Sequence, residues 1–124
     1  MWCRDFTAEE RCLVSFLLRA AKKDEGYISE FFSEMQCYDM DDGGMGSIRF
    51  VSSGNGEDAD ARKFGEEVCS CHFTDEDGVT VSAALYVDSA ARPFELDVWK
   101  VDFSPLIRLP DDNSKFILDH VRVQ

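Results

Sequence analysis

The chain has 124 residues, of which 25 are acidic and 13 basic, for a net charge of −12. A hydrophobic fraction of 44% with ten Phe excludes a disordered chain and is enough for one core, because a chain of this length buries about two-thirds of its surface on folding. The acidic excess is shared by both halves of the chain; it repels nucleic acid and anionic membrane and favours basic protein partners.

Met1–Asp5 is too polar to be the apolar core of a signal peptide, and no apolar run approaches the roughly 20 residues that span a bilayer. The five cysteines, Cys3, Cys12, Cys37, Cys69 and Cys71, are odd in number and are expected as reduced thiols of a cytoplasmic protein. Thr7-Ala8-Glu9-Glu10 reads as a capping box with Phe6 as a staple in front of it. Leu13, Phe16, Leu17 and Ala20 then recur at helical spacing and predict a helix over 8–23, broken at Gly26. Ile28, Phe31, Phe32 and Met35 share one face of a second, shorter helix over 27–35.

From Gln36 the pattern turns to β. Residues 37–40 are ambiguous, Asp41–Gly44 is a turn, and Ser47–Ser52 is a strand with Ile48 and Phe50 on one face. Ser53–Ala61 reads as a polar loop. Glu67–Thr74 is a strand joined through Asp75–Gly78 to Val79–Val87, whose Val81, Ala83 and Leu85 alternate. Phe94–Phe103 is the third strand of this meander, and its apolar parity shifts between Val98 and Trp99. A bulge there or a strand covered on both faces accounts for the shift, with Trp99 and Phe103 expected in the core. Pro105 and Pro110 end regular structure, and residues 116–123 form a final strand or helix. The expected fold is a single α+β domain over residues 1–124, with the N-terminal helices packed on one face of a mostly antiparallel β-meander.

Residues suited to chemistry are present, but in patterns that favour structural roles. Cys71 and His72 are adjacent on a strand and point to opposite faces, so they do not form a nucleophile–base pair. Cys69 and Cys71 share a face without the further ligands of a metal site. Gly43-Gly44-Met45-Gly46-Ser47 lacks the following Lys and helix of a phosphate loop and reads as a demanding turn. No catalytic residue, cofactor or metal is assigned.

Met40–Ser47, Asp75–Val79 and Glu95–Leu106, with the opening Arg4–Glu10, together resemble a family of small bacterial proteins of unassigned function. That family carries a D-G-G-M-G-S turn and an E-L-D-[IV]-W-K-x-D-F-S-P-L strand. The resemblance spans most of residues 4–110 and implies no activity. By class rather than by motif, small acidic α+β proteins of this style are similar to immunity proteins of bacterial toxin systems.

The expected function is a cytoplasmic protein-binding module, an immunity protein that neutralises a toxin domain by occluding its active site. The expected contact residues are Tyr38, Asp39, Asp41, Asp42, Asp97, Trp99 and Asp102, facing a basic protein partner and neither nucleic acid nor membrane. Two alternatives stand beside it. One is a small enzyme or ligand-binding domain using His72 in a pocket between helices and sheet. The other is a structural component that associates through a sheet edge or apolar patch.

Overall fold

The computed structural model describes residues 2–52 and 63–122. The Ser53–Ala61 segment, read from sequence as a polar loop, lies outside them. Two helices, α1 (Ala8–Ala20) and α2 (Glu25–Glu34), precede six strands: β1 (Met35–Asp39), β2 (Ile48–Ser52), β3 (Phe64–Thr74), β4 (Thr80–Asp88), β5 (Pro93–Lys100) and β6 (Ile117–Val121). The strands form one sheet in the order β1-β2-β5-β4-β3-β6, and every pairing is antiparallel. This is the α+β arrangement the sequence predicts.

The first helix starts on the capping box as expected. Thr7 Oγ1 accepts from Glu10 N at 3.1 Å, and Glu10 Oε1 accepts from Thr7 N at 2.9 Å. It ends three residues earlier than the periodicity suggests. Lys22 N donates to Arg19 O and Lys23 N to Leu18 O, a terminating motif that needs a left-handed residue, and Lys22 takes that role with φ 68°. Gly26 does not break a helix. It lies in the first turn of α2, which Asp24 caps by accepting from Tyr27 N at 2.8 Å. Met35 ends α2 and at once opens β1, so the ambiguous residues 37–40 fall mostly within a strand.

One sheet face and the helices enclose the core. Leu13, Val14, Leu17 and Leu18 from α1 and Ile28 and Phe31 from α2 are buried against Phe50, Cys69, Cys71, Phe73, Val81, Ala83, Leu85, Leu96 and Val98. Phe6 packs its ring among Phe31, Phe32 and Phe50, tying the N-terminal segment to α2 and β2.

Two sequence expectations for β5 are corrected. The β4–β5 pairing runs without interruption from Val81↔Lys100 to Tyr86↔Glu95, and the register shift comes at Phe94, not near Val98. The apolar parity of Leu96 and Val98 therefore continues to Lys100, which is fully buried. Trp99 is 42% exposed on the opposite face, and Phe103 is 68% exposed in a turn beyond the strand. Residues 117–121 are a strand, β6, pairing with the outer edge of β3.

Candidate functional site

The helices cover only one face of the sheet, and the strand registers define what the other face presents. Tyr38 pairs with Arg49, Arg49 with Glu95, Glu95 with Tyr86 and Tyr86 with Glu67, so these five residues form one row across β1, β2, β5, β4 and β3. The next row runs Asp97, Ala84, Ser70 and His120, and a third runs Trp99, Ser82, His72 and Ile117. Because side chains alternate along a strand, each row points away from the helices.

In the first row Arg49 stands between Tyr38 and Glu95. Its Nη2 donates to Glu95 Oε1 at 2.9 Å, and its guanidinium lies 4.6 Å from the centre of the Phe94 ring. Burial works against the charged guanidinium, but the hydrogen bond it donates to Glu95 and the neighbouring Tyr38 outweigh it and raise its pKa. The Tyr86 phenol is pushed up by burial and then by the carboxylates of Glu67, Asp97 and Glu95, so this part of the surface carries a negative field. Tyr86 also packs against Phe64, with ring centroids 5.0 Å apart. In the third row, His72 Nδ1 lies 2.7 Å from Asp119 Oδ1, joining β3 to β6. The space between helices and sheet, where a His72 pocket was one alternative, is filled by core side chains, and His72 faces away from it.

Of the seven residues expected at a contact surface, Tyr38, Asp97 and Trp99 share this open face. The other four lie elsewhere. Asp39 accepts from Arg4 at 2.8 Å, and Arg4 also forks onto the buried Glu10 with two bonds of 2.8 Å. The Arg4 hydrogen bond holds the Asp39 pKa below its usual value. Asp42 accepts from Met45 N at 3.1 Å and Ser47 N at 2.8 Å, which fixes the glycine-rich turn and occupies two of its amides with a carboxylate. In that turn Gly46 has φ 106°, and a Cβ there would come within 3.1 Å of Leu106 Cδ2. Asp41 is exposed beside it. Asp102 accepts from Ser104 N and Oγ in the turn after β5.

Sequence reasoning missed Arg49, Glu95, Tyr86 and Glu67. The polar–apolar alternation of Glu95-Leu96-Asp97-Val98 is a usable signal for Glu95, but membership of a row depends on register, which one strand does not specify. A surface cleft of about 550 Å³, lined in part by Thr74, Glu76, Arg108, Asp111 and Lys115, lies elsewhere on the described surface.

Residues 3–110, which include all of this face except the β6 contribution, match the family model described as Domain of unknown function (DUF6984). The chain belongs to that family. The matched span holds both helices, β1–β5, the Gly43–Gly46 turn and the Trp99–Phe103 corner, and it ends before β6. No curated protein and no solved structure matches the chain. Among the described residues no helix is long and apolar enough to cross a membrane.

Proposed function

We propose that this DUF6984 chain is a protein-binding module whose partner docks on the open sheet face, and that it acts as a cytoplasmic immunity protein occluding the active site of a toxin domain. The observation that carries the reading is the face that, among the described residues, no helix covers. A six-stranded sheet buries one face under two helices and leaves the other as rows in which Tyr38, Tyr86 and Trp99 stand with Glu67 and Asp97, beside the His72–Asp119 contact. Aromatic anchors set among charges are the composition of interface centres, and a net charge of −12 speeds encounter with a basic partner.

The test is capture from the native host with the tagged chain, alongside a Glu67→Lys, Asp97→Lys variant as the control bait. A basic toxin fragment recovered stoichiometrically by the wild type, lost by the variant, and lethal on expression unless the wild-type chain is co-expressed is the expected result. Capture that is indifferent to the two reversals removes the open face from the reading. A captured partner without toxicity removes the immunity role and leaves a binding module.

A further inference from the structure

We infer that the exposed corner formed by Trp99 and Phe103 is the anchor of this face, and that it receives an arginine side chain from a basic protein partner; the inference rests on the protein-binding reading above. The two rings meet edge to face with centroids 5.8 Å apart and planes at 63°, and they are 42% and 68% exposed. Val101 and Ile107, also exposed, extend the same apolar segment. Folding gains little from rings left in water. Phe103 is in addition held at φ 64°, a left-handed conformation that a bulky side chain rarely adopts.

The corner is held rigid from beneath. Lys100, between the two rings in sequence, is fully buried, and its Nζ donates to Asp75 at 2.8 Å, Asp77 at 2.6 Å and the Pro105 carbonyl at 3.2 Å. Phe103 N donates to Lys100 O at 2.9 Å and Val101 N to Thr80 O at 3.1 Å, and Asp102 Oδ1 holds Ser104 N and Oγ at 3.0 and 2.6 Å. An aromatic pair fixed in this way loses little side-chain freedom when a partner binds.

Charge selects the partner group. Asp97 lies two residues before Trp99 on the same strand face, so the two Cα atoms are roughly 7 Å apart. It is exposed, and its carboxylate meets the Ser47 hydroxyl at 3.3 Å. Glu95 is buried and already matched by Arg49, whereas Asp97 is exposed two residues from the exposed Trp99 on the same strand face. A planar guanidinium stacks on an indole and forks onto a carboxylate at the same time, which a lysine ammonium cannot do equally well.

The experiment uses the full chain in a Trp2→Phe background, so that Trp99 is the sole indole, and titrates it with nona-arginine and nona-lysine peptides at low and physiological salt. The expected result is a change in Trp99 emission on adding nona-arginine, with weaker binding of nona-lysine. By calorimetry, Trp99→Ala, Phe103→Ala and Asp97→Asn should each weaken nona-arginine binding by about three- to tenfold. Circular dichroism melts establish that each variant is folded. Unchanged affinity in the two ring variants, with loss only in Glu67→Lys, Asp97→Lys, overturns the anchor and leaves the acidic face as the binding surface. Equal affinity for both peptides overturns the assignment of arginine. No binding by the wild-type chain overturns the inference as a whole, and partner capture then decides the protein-binding reading separately.

Discussion

Lys100 and Asp75 form an ion pair of 2.8 Å in which neither side chain has any solvent exposure. Lys100 sits at the end of β5 on the core-facing parity, and Asp75 opens the turn between β3 and β4. The Asp75 carboxylate also accepts from Ile107 N at 2.8 Å, Arg108 N at 3.1 Å and Glu76 N at 2.8 Å. One carboxylate therefore joins the hairpin turn, the end of β5 and the segment that follows it. A buried charge is tolerated only when paired and hydrogen-bonded, and this pair meets both conditions.

Asp75→Asn keeps the shape and removes the counter-charge, leaving the Lys100 ammonium buried beside the half-exposed Asp77. The expected outcome is a melting temperature lower by about 10 °C, the size expected when one partner of a buried pair is removed from a domain of this length. Differential scanning calorimetry at pH 7 checks it. A change within a degree or two would mean that the pair contributes nothing net to folding.

The same pair sets the response to acid. Burial pushes the Asp75 carboxyl up, but the backbone amide of Ile107, then Lys100 and the amides of Glu76 and Arg108 outweigh it and hold its pKa at about 2, below the ordinary 3.8. A depressed carboxylate contributes stability that is present above its unfolded pKa and lost as pH falls through its folded one. Stability should therefore fall between about pH 4 and about pH 2, and more gently in Asp75→Asn than in the wild type. At the alkaline end burial pulls the Lys100 pKa down, yet its two carboxylate partners raise it above 10.5. Its contribution is therefore present below pH 10.5 and is lost only as pH rises beyond it. Urea midpoints measured across pH test both limbs.

The thiols divide by depth. Burial pushes Cys37, Cys69 and Cys71 up to about 12, while Cys3 is exposed and Cys12 is intermediate. Since the thiolate is the reactive form, a disulfide reagent at pH 8 should modify Cys3 quickly and Cys12 slowly. The other three should react only when the chain is unfolded in guanidinium. Cys3→Ser should abolish the fast phase, and a fast phase that survives in Cys3→Ser, Cys12→Ser would mean that a buried thiol is accessible.

How far the sequence carries this picture depends on the range of the interaction. Capping at Thr7 and Glu10, the turn at Asp75–Gly78 and the alternation of Val81, Ala83 and Leu85 are local, and the structure has them where the sequence puts them. The end of β5 was legible but misread. The parity of Leu96 and Val98 places Lys100 inside and Trp99 outside, yet a buried lysine beside an exposed tryptophan contradicts the usual ranking of the two residue types. Asp39, Asp42 and Asp102 are acids on loops or strand ends, and only the folded chain shows that each is engaged by Arg4, backbone amides or Ser104. The strand β6 was ambiguous because an edge strand with almost every residue exposed has no buried face to impose a period.

Phe103 offers a way to separate folding from function. Its φ of 64° is costly for any residue with a Cβ and costs glycine nothing comparable. Phe103→Ala and Phe103→Gly remove the same ring and the same contact with Trp99, so the difference between them isolates the backbone. Glycine also loses more entropy on folding, which works against it. The expected outcome is a glycine variant more stable than the alanine variant by about 1 kcal/mol, or roughly 4 °C in melting temperature. The same comparison at Ala91, φ 63°, where the wild type already carries alanine, should have the same sign for Ala91→Gly. If both positions behave this way, the left-handed backbone costs a side chain at 103 as it does at 91, and the ring of Phe103 sits on a backbone that glycine would take more readily. If alanine and glycine melt together at 103 but not at 91, the loop relaxes when the ring is lost, and the ring itself holds the backbone in its left-handed turn.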